Sequence, residues 1–191
     1  MTNHRSFRRF GHVAWLGFAV ACSQGPATPT TQLGPAARLH AHSATSSPLS
    51  AKFTDDLQKL TARMGRFHAF EQAGKEGYTV KVQSCFDNQP VGAMGYHFVN
   101  GALMDDQLDP LQPEAVMYEP GPQGQMKFVG VEFIVPFSVR PYPGSTPPTL
   151  YGQDFSPNVG LQLWALHAWV GRENPLGVFQ PWNPDVSCAN G

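Results

Sequence analysis

The stretch PEAVMYEPGPQGQMKFVGVEFIVP, residues 113–136, contains two apolar runs joined by a segment rich in glycine, proline and glutamine. The runs are rich in β-branched and aromatic residues, which predicts strands at Val116–Glu119 and Lys127–Val135. The segment GPQGQ between them is typical of a turn. We therefore predict a β-hairpin with a five-residue turn at the centre of the fold.

The hairpin also predicts a register. With a five-residue turn, Tyr118 faces Phe128 across the two strands. Successive side chains of a strand point to opposite faces of the sheet, and the register decides which side chains share a face. This pairing places Glu132 on the Tyr118 face and Glu119 on the opposite one.

An amphipathic helix precedes these strands. Thr54 can cap its first turn, apolar residues recur at intervals of three and four, and Gly74 and Gly77 supply its end. A helix followed only by strands is the element order of an α+β protein. We predict one long N-terminal helix packed on a curved, mostly antiparallel sheet. The apolar helix positions are Leu57, Leu60, Met64 and Phe67, and further strands are predicted at 78–85, 95–99 and 161–170.

Residues 1–22 have the pattern of an export signal. Three arginines precede an apolar run from Val13 to Ala21, and no acidic residue occurs before Asp55. The run is shorter than the roughly 20 apolar residues that span a membrane. Small residues before Cys22 resemble the lipobox of bacterial lipoproteins, so Cys22 is predicted to become the lipidated N-terminus. Ordinary cleavage nearby, which would leave an unanchored exported protein, is the alternative.

The remaining sequence divides into two parts. Residues 23–50 consist largely of Ser, Thr, Pro, Ala and Gly and are predicted to be a disordered tether. Residues 51–191 are predicted to form a single globular domain. The formal net charge of −1 argues against nucleic acid as a partner. We expect contact with a membrane only through the lipid anchor.

The three cysteines are Cys22, Cys85 and Cys188. If Cys22 carries lipid, the other two remain as a pair, and an exported protein meets the oxidising conditions in which disulfides persist. A bridge between Cys85 and Cys188 would close a loop of about 100 residues, for which chain entropy predicts roughly 4.7 kcal/mol of stabilisation. The competing interpretation is a reactive thiol, although neither cysteine belongs to a CxxC pair.

Polar residues inside apolar strand patterns are the best candidates for function. His97, Glu132 and His167 each share a predicted strand face with apolar neighbours. A bare carboxylate in such a place costs several kcal/mol, so it must be paired, protonated or bound to a metal. Two imidazoles and a carboxylate can hold a divalent transition metal and leave a position open for water or substrate. Trp169 shares the His167 face and is predicted to wall this pocket.

Three interpretations of this set remain open. The residues could form a hydrogen-bonded structural pair, hold a metal, or line a metal-free acid/base or small-ligand pocket. In an enzymatic version, the metal would polarise a substrate or activate water, with Glu132 as ligand or general base. The sequence contains no GxSxG, GxGxxG, phosphate-loop or HExxH motif, so it indicates no catalytic residue.

Two other groups of acidic residues have weaker claims. Glu119 is predicted to meet Lys127 or a backbone donor near the end of its strand. The stretch MDDQLDPLQPE, residues 104–114, offers carboxylates to calcium but lacks the spacing and the glycine of an EF-hand loop. Its acidic members are Asp105, Asp106, Asp109 and Glu114.

Four motifs follow one another along the chain: MGYHFVNG at 94–101, PEAVMYEP at 113–120, KFVGVEFIVP at 127–136 and LHAWVGRENPLGVFQPWNPDVSC at 166–188. As an ordered set they resemble a widespread family of exported bacterial proteins, over most of the chain from Gly77 to Cys188. The resemblance implies a stand-alone exported domain in which His97, Glu132, His167 and the terminal cysteine belong to recurrent motifs. No activity is established for that family, so the resemblance implies no mechanism.

The sequence thus predicts an exported, lipid-anchored envelope protein that binds a small ligand or metal ion in an aromatic-walled pocket. The pocket residues are His97, Glu132, His167 and Trp169, and the first three are the predicted metal ligands. The alternative is a non-catalytic structural or interaction protein of the cell envelope, in which the buried histidines and glutamate only stabilise the fold.

Overall fold

The structure is a computed structural model that describes residues 48–191. The predicted export signal with Cys22, and residues 23–47 of the predicted tether, lie outside the described residues. Within residues 48–191, the helices are too short or too polar to cross a bilayer.

The helical region consists of three segments and not of the single long helix predicted. They are α1 (Pro48–Met64), a 3₁₀ helix (Gly65–His68) and α2 (Phe70–Lys75). Ala69 separates the last two with an extended backbone, at φ −86° and ψ 102°. Apolar spacings of three and four residues suit both α and 3₁₀ turns, so the periodicity could not reveal the break after Met64.

Helix α1 also begins earlier than predicted. It starts at Pro48, where the fixed φ of proline suits a first helical turn. Thr54 lies inside the helix, and its hydroxyl donates to the Ser50 carbonyl oxygen at 2.9 Å. Only the last part of α1 enters the core, through the fully buried side chains of Leu60 and Met64.

The strands form two antiparallel sheets instead of one. Within residues 48–191 the strands are β1 (Val80–Asn88), β2 (Gly92–Val99), β3 (Ala115–Pro120), β4 (Met126–Pro136), β5 (Thr149–Leu150), β6 (Gln153–Asp154), β7 (Ser156–Asn158) and β8 (Leu163–Ala168). The six-stranded sheet has the order β1-β2-β3-β4-β8-β7, and β5 pairs with β6 in a separate two-stranded sheet. The predicted α+β arrangement of one long N-terminal helix on a curved, mostly antiparallel sheet is therefore wrong.

The β3–β4 hairpin contains a bulge that decides which side chains share a face. Tyr118 pairs with Phe128, as predicted, but Met117 pairs with Gly130, so the register shifts by one residue between these pairs. A one-residue shift turns the following side chains to the other face of the sheet. The side chains of Glu132 and Tyr118 therefore lie on different faces of the sheet. The predicted placement of Glu132 on the Tyr118 face is wrong.

The two faces of the large sheet have different roles. The face that carries Tyr118 covers the main hydrophobic core, together with Val131 and Phe133 of β4. At the bulge, a Cβ on Gly130 would lie 2.7 Å from the Ala168 carbonyl oxygen, so only glycine fits there without a shift of its neighbours. Beyond the bulge, the face opposite the main core carries Glu132.

A disulfide between Cys85 and Cys188 confirms the predicted pair. It joins β1 to the C-terminal residues, across a sequence separation of 103. The C-terminal segment also pairs with β2 through a bridge between Ala93 and Asn183. The end of the chain is thus attached to the sheet at two places.

Candidate metal centre

The three polar strand residues singled out in the sequence meet on one face of the large sheet. His97 lies on β2, Glu132 on β4 and His167 on β8. Glu132 and His167 are direct cross-strand partners, whereas β3 lies between Glu132 and His97. One ligand atom from each residue lies within 4.8 Å of the other two. These three residues are called the triad below.

A small residue on β3 lies where Glu132 reaches across that strand. Ala115 is the direct partner of Glu132 on one side and of Val99 on the other. A methyl group at this position leaves space for the longer Glu132 side chain. Glu132 Oε2 lies 3.5 Å from His97 Nε2, and its Oε1 lies 3.5 Å from His167 Nε2.

Burial controls the charge of the triad. The exposed fractions are 3% for His97, 9% for Glu132 and 6% for His167. Burial lowers the pKa of His97 to about 4 and that of His167, which also has His97 beside it, to about 3. Burial also raises the pKa of Glu132 to about 8, with a smaller contribution from the charge of Glu114. Burial thus favours the neutral form of each side chain in the metal-free protein.

The two separations of 3.5 Å suit metal ligands better than hydrogen bonds. Hydrogen bonds between nitrogen and oxygen have lengths of about 2.7–3.2 Å. Ligand atoms of a tetrahedral zinc ion, each about 2.0–2.2 Å from the metal, lie about 3.3–3.6 Å from one another. Each Glu132 oxygen thus lies at a ligand's distance from one imidazole nitrogen, and a single oxygen is enough to complete a set of three donors.

One ring nitrogen of the triad is unpartnered among residues 48–191. His167 Nε2 is buried and has no hydrogen-bond partner there, whereas the His97 ring interacts with the Gly95 backbone. A buried polar atom without a partner costs about 1–3 kcal/mol. A metal ion bound by His167 Nε2 would remove this cost. The donor set of two imidazoles and one carboxylate fits such an ion.

Aromatic rings pack on both histidines. The Phe86 ring meets His97 edge-on, with centroids 5.1 Å apart, and Trp169 lies nearly parallel to His167 at 6.5 Å. Trp169 also packs in a buried apolar cluster with Ala93, Met117, Val129 and Val186. It therefore supports His167, and its predicted contact with a ligand stays a prediction. Phe86 was not predicted as a site residue, although its position directly after Cys85 in a strand pattern was a usable signal.

Glu119 is not part of the triad. Its Oε1 accepts a hydrogen bond from the Ser187 backbone at 3.0 Å, so the predicted backbone donor is confirmed. Its Oε2 lies 2.8 Å from Arg172 Nη2. Glu119 thus holds the C-terminal segment against β3.

The acidic stretch 104–114 has partners within the fold. Asp105 and Asp109 each accept a hydrogen bond from a backbone N–H two residues later, as in tight turns. Glu114 is buried and accepts from the Ile134 backbone at 2.8 Å. Burial raises the pKa of Glu114 to about 8. These contacts give the carboxylates structural roles, and they do not support calcium binding.

Comparisons with protein-family models, with curated proteins and with solved structures find no match to this chain.

Proposed function

We propose that the protein binds a divalent transition metal ion through His97, Glu132 and His167. The observation that carries this proposal is the approach of three buried donor groups, with one Glu132 oxygen 3.5 Å from each histidine Nε2 and one ligand atom of every residue within 4.8 Å of the others. Zinc fits this donor set, because it accepts both imidazole nitrogen and carboxylate oxygen, and the same set with open positions also holds non-haem iron(II). A divalent transition metal is accordingly the proposed cofactor.

Three protein ligands make an open site. Structural zinc sites have four protein ligands, whereas sites with three leave the fourth position to water or a substrate. The triad provides three residues and is therefore of the open kind. A small molecule that binds the metal is the proposed partner, and a metal-activated water is the chemistry that such a site can supply.

The competing interpretation is a purely structural role for the buried histidines and glutamate. A hydrogen-bonded structural pair would have nitrogen–oxygen distances of about 2.7–3.2 Å. The 3.5 Å separations and the unpartnered Nε2 of His167 favour a ligand site instead.

We also propose that the protein is exported and anchored to the cell envelope through lipid on Cys22. The N-terminal pattern of residues 1–22 supports export. The Cys85–Cys188 disulfide suits an oxidising compartment outside the cytoplasm. Membership of the exported bacterial family stays a prediction.

Calorimetric titration with zinc tests the metal site. We expect the full-length chain, without a histidine tag, to bind one ion with a Kd below about 1 µM. The variant His97→Ala/His167→Ala should lose this binding, because it lacks both imidazole ligands. His68→Ala is the matched control, since it removes an exposed histidine outside the triad, and it should bind as the wild type does. Equal binding by the double variant, or none by the wild type, would contradict the proposal.

A further inference from the structure

Two cavities meet at the triad. One has a volume of about 320 Å³ and the other of about 620 Å³. Glu132 and Asn158 line both cavities, whereas His97 lines the first and His167 the second. The triad therefore lies at the boundary between the two spaces.

The walls of the cavities differ in chemistry. The first, called the apolar cavity here, has walls of aliphatic and aromatic side chains from β1, β2, β4 and β8, with Met104 at one side. The second, the polar cavity, has amide, hydroxyl and carboxyl groups on its walls beside apolar residues such as Leu166 and Phe179. The principal apolar residues are Val82, Phe86, Val99, Ile134 and Leu163, and the principal polar residues are Gln153, Asp154, Ser156 and Gln180.

We infer that the ligand of this site is a small amphipathic molecule, with an oxygen-donor head at the triad and an apolar body in the apolar cavity. This inference rests on the proposed metal site. The inference is supported by the position of the triad between an apolar cavity and a more polar one. Sites that bind small molecules have the same composition, with mainly apolar walls and a few polar groups that fix the orientation.

The cavity volume limits the apolar body. The apolar cavity, at about 320 Å³, has roughly twice the volume of a ~150 Å³ apolar cavity that accommodates benzene. A phenyl ring with a short alkyl chain therefore fits within the cavity. Val80 is 54% exposed and lines the same cavity, which places it where the cavity meets solvent.

The charge at the site selects the head group. A divalent ion bound by the Glu132 carboxylate and two neutral imidazoles carries one net positive charge. A monoanionic oxygen donor such as a carboxylate or hydroxamate neutralises this charge, and the open coordination position accepts its oxygen. The polar cavity gives the rest of the head a hydrated environment.

Binding of two hydroxamates to the cobalt-loaded, full-length chain tests this inference. Acetohydroxamate has the head alone, and 4-phenylbutyrohydroxamate adds a phenyl ring on a short chain. Burial of a phenyl group predicts that the second compound binds roughly 10- to 100-fold more tightly. The change of the cobalt absorption spectrum reports binding of either head to the metal.

Matched tryptophan variants locate the apolar body. Val80→Trp places a large side chain at the mouth of the apolar cavity and should remove the preference for the phenyl compound. Val139→Trp replaces the same residue type at a position that is 48% exposed and lines neither cavity, so the preference should persist. Cobalt content is measured for every variant, and affinities are referred to the loaded protein.

The outcomes separate the two proposals. If cobalt binds but the two hydroxamates have equal affinities, the amphipathic ligand is wrong and the metal site stands. A preference that survives in Val80→Trp, or that disappears equally in Val139→Trp, also overturns the assignment of the apolar cavity. If the wild type binds no cobalt, both proposals fail.

Discussion

Glu132→Gln should abolish tight zinc binding and, at pH 8, make the metal-free protein more stable than the wild type. Glutamine has the shape of the protonated carboxyl group but cannot provide an anionic ligand. Loss of even an outer-shell partner of a metal ligand reduces metal affinity about 10- to 100-fold. We therefore expect removal of the anionic ligand itself to weaken zinc binding by at least about 100-fold.

The gain in stability follows from the raised pKa of Glu132. Burial raises this pKa from an ordinary value of 4.5 to about 8. Between these two pH values the unfolded chain loses a proton that the folded protein keeps, so the unfolding free energy of the wild type falls as pH rises. Glutamine lacks this proton. The variant should match the wild type near pH 4.5 and exceed it at pH 8 by on the order of 3 kcal/mol.

Glu114→Gln is the matched control for this prediction. Glu114 is also buried, and burial raises its pKa to about 8 as well, but it does not belong to the triad. Denaturant unfolding from pH 4.5 to 8 should show a similar pH-dependent gain in both variants, while zinc titration should show a loss only in Glu132→Gln. Tight zinc binding by Glu132→Gln would show that the carboxylate is not a metal ligand, and a lower stability than the wild type at pH 8 would show that it has a structural role.

Cys85→Ser/Cys188→Ser should lower the unfolding free energy by about 2–4 kcal/mol. The disulfide closes a long loop, with a sequence separation of 103, and so restricts the unfolded chain. The variant should still fold, because Ala93 and Asn183 continue to pair and Glu119 still accepts from Ser187. Chemical denaturation at pH 6, with and without a reducing agent, measures the effect.

The reducing agent provides the control for the disulfide. It should shift the unfolding midpoint of the wild type to that of the variant and leave the variant unchanged. A wild-type midpoint that does not respond to complete reduction would show that the bridge contributes little, and that the other contacts hold the C-terminal segment.

Residue type predicted the members of the triad, but not the reason why they meet. His97, Glu132 and His167 are conspicuous because polar groups are uncommon within apolar strand patterns. The face of Glu132 was predicted wrongly, because the bulge beside Gly130 shifts the register by one residue. A bulge depends on contacts between strands, here the close approach of the Ala168 carbonyl to Gly130, and alternation within one strand does not encode it.

Neither the break in the helical region nor the cavities could be predicted from the sequence, because both depend on tertiary packing. The apolar spacing from Leu57 to Phe67 is compatible with both helix types, so tertiary packing decides where α1 ends. The apolar cavity combines strand residues such as Val82 and Val99 with Met104 from a connecting segment. Such a cavity arises only when distant parts of the chain are brought together, whereas the cysteine pair followed from counting three cysteines.

X-ray absorption spectroscopy of the zinc-loaded, full-length chain tests the metal centre most directly. We predict a shell of nitrogen and oxygen atoms about 2.0–2.2 Å from zinc, with scattering from two imidazole rings and no sulfur. His97→Ala/His167→Ala should keep no zinc above background once unbound ion is removed, and so should give no such spectrum. A sulfur ligand at about 2.3 Å, or an unchanged spectrum in the double variant, would contradict a zinc ion held by His97, Glu132 and His167.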